Sequence, residues 1–420
     1  MRLAKTIRRP TRRLARRASR RRSLRDGWGA LLGGAVLVAV VVNAAGGFRT
    51  FDGDDAARSL ASAHRASSID TRASGVGSLL TGMPPVIDPH NIYAADGPRD
   101  FSPAVKGDLS MVYVPNSGSG TVTEIDPNTF RVVRTFGTGA LPQHVVPSWD
   151  LRTLWVTNDR GNSLTPINPK TGLPGRPVAV ADPYNMYFTP NGRYAIVVAE
   201  ALRRLDFRDP HTMRLEHSLS VPCRGVDHID FSANGRYLIA TCEFAAKLIK
   251  VDVASERVVG SVQLPKADGM PQDVKLSPDG RIFYVADMIA NGVYELDGNT
   301  MQITGFLPTG KGAHGLYVSR DDRYLYVSNR MAGSISVIDL ASRRVVKTWH
   351  LPGGGSPDMG NVSADGSVLW LSGRYNAQVY AIDTNSGKLL ARIPVGSGPH
   401  GLTVWPQPGR YSLGHTGILR

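Results

Sequence analysis

Short β-like segments recur along this chain at a nearly constant spacing. Seven of them end at Ser148, Thr189, Ser232, Ser277, Ser319, Ser363 and Trp405, at intervals of 41, 43, 45, 42, 44 and 42 residues. A fixed period of this length means that each repeat is one small unit that buries its apolar face only against its neighbours, so the chain folds as an array or a ring. Most of the segments run into turn-forming residues: Pro190-Asn191-Gly192, Ala233-Asn234-Gly235, Pro278-Asp279-Gly280 and Ala364-Asp365-Gly366. Asn, Asp and Gly tolerate the left-handed backbone angles of tight hairpins, so each site marks a hairpin between a strand A and a strand B.

Strand B alternates aromatic or large apolar residues with β-branched and small ones, as in Phe283-Tyr284-Val285-Ala286-Asp287 and Leu325-Tyr326-Val327-Ser328-Asn329. Strand C ends in an acid at Asp126, Asp252, Asp297, Asp339 and Asp383, and strand D carries runs such as Arg131-Val132-Val133 and Arg344-Val345-Val346. Four short strands every 42 or so residues is the period of a propeller blade. A strands fall at 144–148, 185–189, 228–232, 273–277, 315–319, 359–363 and 401–405; B-to-D sets begin near 111, 153, 195, 237, 282, 323 and 368. The first set lacks an A strand before it and the last A strand lacks a B strand after it. The prediction is an all-β fold, a seven-bladed β-propeller over residues 83–410 in which the C-terminal strand Gly401 to Trp405 closes the first blade near Val112. Residues 411–420 read as a C-terminal tail.

The chain has 420 residues and a net charge of +14, which by itself suggests a polyanionic partner. Its distribution excludes that. Residues 1–26 hold eleven Arg and one Lys against one Asp, which leaves the remainder at only +3. Nucleic acid is therefore not expected as a partner. Residues 27–45 are uncharged and apolar, and nineteen residues span about 28 Å as a helix, close to a bilayer core. The sequence thus predicts an N-terminal transmembrane or signal helix behind a basic cytoplasmic leader, either retained as an anchor or cleaved after Ala44 or Ala45. The propeller would lie outside the cytoplasm, tethered at the cell membrane or secreted. Residues 46–82 are Ala, Ser, Gly and Asp rich and read as a flexible linker.

Two cysteines, Cys223 and Cys242, are too few for a disulfide framework. If position 232 pairs with 237 in their hairpin, 242 lies opposite 227, a few residues from Cys223; they form one disulfide or stand as two buried thiols. No CxxCH sequence for covalent haem attachment and no G-x-S-x-G nucleophile elbow occurs.

Strand B written as Leu154-Trp155-Val156-Thr157-Asn158, with Pro-x-x segments before strand A and Ser277-Pro278-Asp279-Gly280 after it, resembles the YVTN-repeat family of β-propellers. The resemblance covers roughly residues 105–410 and implies the propeller fold. It does not imply one function, because the wider group includes cell-envelope and surface-layer proteins, haem-binding propellers of nitrite reductases and lactonase-like propellers. The repeat Tyr194 to Asp209 departs from the pattern, with Arg203 and Arg204 in its C strand and Glu200 where others carry Asn or Asp.

In a propeller the D-to-A and B-to-C loops emerge on one face around the central channel, so residues there converge. The candidate ligand-binding residues on this face are His144, Asn185, His228, Asp273, His314, Asp358 and His400 before the A strands, and Glu243, Asp287, Arg330 and Arg374 after the B strands. Four of the ten histidines occupy equivalent loops. Counted from the end of strand A, His314 and His400 sit one residue earlier than His144 and His228, and strand alternation points the two pairs differently. His, Asp and Glu suit a divalent ion, and Arg suits a carboxylate or phosphate. No cofactor is expected, with a divalent metal as the alternative. Two functions follow: a monomeric binding or protein-interaction scaffold for a protein, peptide or small-molecule ligand, or a metal-dependent hydrolase of lactonase type working on the same face.

Overall fold

The computed structural model describes residues 77–415 and 417–420. Seven antiparallel sheets follow one another around a central channel, each built on four strands lettered A to D from the channel outward, with two further strands added inside the sheet of blade 3. Blade 2, for example, runs Pro142–Pro147, Leu154–Asn158, Ser163–Ile167 and Val178–Ala179. Blade 4 runs Val226–Phe231, Tyr237–Cys242, Lys247–Asp252 and Arg257–Gln263. Blade 1 is composite: its A strand is Thr403–Trp405, which pairs antiparallel with Met111–Asn116, placing Met111 opposite Trp405, Val112 opposite Val404 and Tyr113 opposite Thr403. The ring closes as the repeat count predicts.

Local side-chain chemistry explains the recurring residues. Ser148, Ser232, Ser277, Ser319 and Ser363 end the A strands, and each hydroxyl accepts from the amide five residues on while donating to an Asp or Asn two residues on. The acids ending the C strands cap the following turn: Asp126 accepts from the Asn128 amide, and Asp252, Asp339 and Asp383 from the amides of Ser255, Ser342 and Ser386. Burial follows the layers. The A strands are fully buried, as in Val226–Phe231, whereas the outer D strands alternate, as in Arg257–Gln263. The core lies between blades, where for instance Tyr326 and Ile335 of blade 6 pack with Leu369 and Leu371 of blade 7.

The first described residues cross the face formed by the A-to-B hairpins. Leu80 donates its amide to the Asn234 carbonyl, Ile92 to Pro278 and Arg99 to Ala364, and the Tyr93 hydroxyl donates to the Leu276 carbonyl at 2.8 Å. Residues 411–420, expected as a tail, instead form a hairpin inside the channel. Ser412–Gly414 pairs with Ile418–Leu419 and lies against the A strand of blade 3, Asn185–Phe188, with Gly414 opposite Tyr187. A Cβ on Gly414 would meet the Tyr187 Cα at 2.4 Å, so only glycine permits this approach. The hairpin enters from the covered face, where Arg420 pairs with Asp230 at 3.3 Å, and its tip carries His415 toward the opposite mouth.

Cys223 and Cys242 are joined by a disulfide with a Cα–Cα distance of 6.0 Å. Cys242 lies opposite Val226, not residue 227, because the A strand carries an extra residue there.

The expected leader 1–26 and apolar span 27–45, and the linker up to residue 76, lie outside the described residues. The single-pass membrane placement inferred from them is corrected: no helix among the described residues is long and apolar enough to cross a membrane. The helical turns there are Pro103–Val105 and Glu243–Ala245, three residues each.

Candidate functional site

Five of the A strands begin with a slip in register. Pro142 faces Asn158 but Val145 faces Val156, and the same slip occurs in blades 4, 5, 6 and 7. Two A-strand residues thus oppose one B-strand residue, a β-bulge that bends the strand and breaks its alternation. Hydroxyls of strand B hold the bulge. Thr157 Oγ1 accepts from the His144 amide at 3.0 Å, Thr241 Oγ1 from the His228 amide at 2.9 Å and Ser328 Oγ from the Gly315 amide at 2.8 Å. The histidines set one residue apart in register therefore converge, contrary to the alternation expected from sequence. Ring centroids lie 5.5 Å apart for His144 and His228, 4.9 Å for His144 and His400, and 6.0 Å for His314 and His400.

The cluster has two halves. In one, Asp358 is fully buried, and its Oδ1 accepts from Arg330 Nε at 2.8 Å and Nη2 at 2.5 Å, while His400 Nδ1 lies 2.7 Å from Oδ2. His314 Nδ1 lies 3.2 Å from Asp358 Oδ1 and 3.0 Å from Met359 Sδ, and its Nε2 meets Arg330 Nη2. Burial would raise the Asp358 carboxyl, but the Arg330 guanidinium, followed by His314 and Arg374, holds it below the usual carboxylate range. In the other half His144, His228 and His415 pack edge to face, with centroids 5.1 Å apart for His144 and His415 and 4.6 Å for His228 and His415. Burial keeps His144, His314, His400 and His415 well below their ordinary values, so these rings are neutral near pH 7. Asp227, beside His228, is pushed well up by burial.

Above the rings, the residues that follow the B strands of five blades form a rim of split charge. Asp159, Glu200 and Glu243 follow one another in blades 2, 3 and 4; Arg330 and Arg374 follow in blades 6 and 7. Burial and the crowding of these carboxyls with Asp227 raise Glu200 to about 8 and Glu243 to about 7, and burial with Asp182 raises Asp159 to about 6. A carboxyl raised in the folded state stays protonated there while the unfolded chain ionises. Its presence costs nothing below pH 4 and becomes destabilising as pH rises toward 8. Glu200→Gln should therefore raise stability at pH 9 by about 1–2 kcal/mol, discounted for partial solvation, with no gain at pH 4. Urea unfolding at the two pH values reads this difference; an equal effect at both would refute it.

Not every sequence candidate reaches the centre. Asp287 Oδ1 accepts from the amides of Met270, Ile289 and Ala290 and so fixes its own loop. Asp273 accepts from the amides of Val274 and Leu316, a tie between blades 5 and 6, although its Oδ1 also lies 3.7 Å from His415 Nε2. Asn185 sits inside, its Nδ2 3.2 Å from His415 Nδ1. Arg374 bonds Ser117 Oγ and the Gly398 carbonyl. His415, Asp159 and Asp182 were not among the candidates. His415 stands in a segment without repeat partners; Asp159 directly follows the Leu-Trp-Val-Thr-Asn strand, and that position was the available signal.

The family model described as YNCE-like beta-propeller matches residues 78–408. The chain belongs to this family. Among its relatives, the 6-phosphogluconolactonase of Erwinia tasmaniensis is 23% identical over 282 residues, 60% of this chain and 84% of that protein. The uncharacterized protein YncE of Salmonella typhi is 24% identical over 269 residues, 60% of this chain and 74% of that one. Among solved structures, Kuenenia stuttgartiensis hydrazine synthase superposes with a TM-score of 0.59 at 18% identity, covering 69% of this chain and 95% of that chain. The dihydro-heme d1 dehydrogenase NirN in complex with DHE gives a TM-score of 0.55 at 16% identity, with 83% and 85% covered. At these identities the structures share with this YncE-like propeller its fold.

Proposed function

We propose that this YncE-like propeller is a binding protein that docks a peptide segment of a partner protein on its mouth face, with a cationic side chain of the partner seated among Asp159, Asp182, Glu200 and Glu243. The observation that carries this reading is the apolar rim. Leu202, Phe244, Met331 and Tyr375 stand on B-to-C loops of four blades with 48%, 50%, 65% and 69% of their surface exposed. Large apolar side chains grouped around a polar centre mark interaction surfaces. The opposite face is crossed by the lead-in and the C-terminal hairpin, which leaves the mouth as the accessible end of the channel.

Arrayed peptides probed with the full chain test this. Peptides that pair Lys or Arg with apolar residues should be retained by the wild type and lost by a Phe244→Ser, Met331→Ser, Tyr375→Ser variant of unchanged thermal stability. Retention should weaken from pH 9 to pH 6, as Glu200 and Glu243 take up protons and lose their charge. Identical retention by the variant, or no selective retention by the wild type, overturns the reading.

A lactonase-type hydrolase is the second reading, favoured by carboxyls poised near neutrality, as general acid–base chemistry requires, and by relatives named 6-phosphogluconolactonase. Docking without catalysis predicts no hydrolysis of 6-phosphogluconolactone above the spontaneous rate. Turnover that disappears in His314→Gln and His400→Gln would put the hydrolase in its place.

A further inference from the structure

We propose that His144, His228 and His415 form a binding site for one divalent transition-metal ion of the zinc type, with the C-terminal hairpin supplying the third ligand. One ring nitrogen from each residue lies within 4.8 Å of the others, and all three side chains are buried. Two nitrogens bound to one tetrahedral zinc are about 3.3 Å apart, so turning the rings by an ångström or so closes the site. The independent sign of a missing ligand is in the hydrogen bonding. Neither ring nitrogen of His144 has a hydrogen-bond partner, nor has either of His228, although both side chains are fully enclosed. His228 Nδ1 lies 2.9 Å from Asp227 Oδ1, but outside hydrogen-bonding geometry. Buried polar atoms go unpaired rarely, because each forfeits its hydration for nothing, and each of these neutral rings leaves one lone pair enclosed and unused. A cation bound by one nitrogen of each ring would take up both of these lone pairs together. An all-imidazole set suits Zn2+, Cu2+ or Ni2+ and disfavours Mg2+ and Ca2+, which take oxygen ligands.

The surroundings support such a centre. His415 reaches the cluster only because the hairpin lies against blade 3, and it is placed there by Asn185 at 3.2 Å and Asp273 at 3.7 Å. The Asp273 carboxyl facing Nε2 is the kind of partner that orients an imidazole ligating through its other nitrogen, and the ion would replace the Asn185 amide at Nδ1. The ion would join blade 2, blade 4 and the chain terminus at one point and so pin the hairpin in the channel. This inference is independent of the docking reading: the rim residues named there are not ligands, and either can fail alone.

The full chain, freed of metal by chelation and dialysis, tests it with Zn2+ by calorimetry and with Co2+ by visible absorption. One equivalent of Zn2+ should bind, Co2+ should give the ligand-field bands of an imidazole-ligated ion, and His228→Gln or His415→Gln should weaken binding at least about 100-fold. His217→Gln, on the outer D strand of blade 3, should leave it unchanged. A measurement free of variants guards against misfolding: amide exchange over residues 411–420 of the wild type should slow on adding Zn2+ to the stripped protein. The proposal is overturned by absence of saturable binding below the millimolar range, by undiminished binding in His415→Gln, or by exchange that ignores the metal.

Discussion

Replacing Arg330 with methionine should lower the unfolding free energy by about 3–5 kcal/mol. The substitution keeps most of the side-chain volume and removes the charge that faces Asp358. Asp358 is wholly enclosed and Arg330 only 9% exposed, so the carboxylate left behind would face two neutral imidazoles with no cation bonded to it, only the more distant Arg374. The loss should depend on pH in a definite direction. In the wild type the depressed Asp358 contributes stability above the ordinary carboxylate range and loses it as pH falls through its own lower value. The wild type and the variant should therefore differ most near pH 7 and draw together below pH 4. Asp358→Asn combined with Arg330→Met should recover part of the loss, since the stranded charge is then gone. Urea unfolding of the three proteins checks this, and a single-variant loss below about 1 kcal/mol would show that the pair is not the tie described.

Ending the chain at Pro408 should also destabilise the propeller. The closing strand Thr403–Trp405 would remain, but the channel hairpin would not, and with it would go the buried side chains of Tyr411, Leu413, Ile418 and Leu419 and the Arg420–Asp230 pair. Each apolar side chain contributes about 1.5–3 kcal/mol by its burial, and the A-strand surface it covers inside the channel is exposed with it, so a measurable destabilisation is expected. It should appear as a lower urea midpoint with a similar slope per unit surface and as the loss of any Zn2+ effect on stability. A truncated chain as stable as the full one would mean that the channel does not need its filling.

The repeat was legible because its signals are local. Ser-x-Asp-Gly turns and C-strand acids work through hydrogen bonds two to five residues away, so they recur wherever the same hairpin recurs. Ring closure followed from counting, and Val112 does face Val404. The site was legible only in outline. Sequence alternation sent the histidines to different sides; the bulge that unites them depends on hydroxyls such as Thr157 and Thr241 reaching across to the neighbouring strand. Asn116, Asn158 and Asn329 match the side-chain types of a polar site but spend their amides on hydroxyls of their own C strands, as in Asn158 to Thr165 at 2.9 Å. His415 was hidden for a different reason. Its hairpin belongs to no repeat, and its position is set by a strand more than two hundred residues earlier, through the contact of Gly414 with Tyr187.

Hydrogen exchange along residues 401–420 of the full chain bears most directly on the claim that the C-terminus both closes the ring and fills it. The amides of Val404, His415 and Arg420 donate to Asn361, Met186 and Tyr411, respectively, inside the protein. Exchange across this segment should be as slow as in the A strand Val226–Phe231, with both stretches opening only when the whole propeller unfolds. Exchange of residues 411–420 at the rate of an unstructured peptide, while Val226–Phe231 stays protected, would contradict a channel occupied by the chain's own terminus and remove His415 from the site.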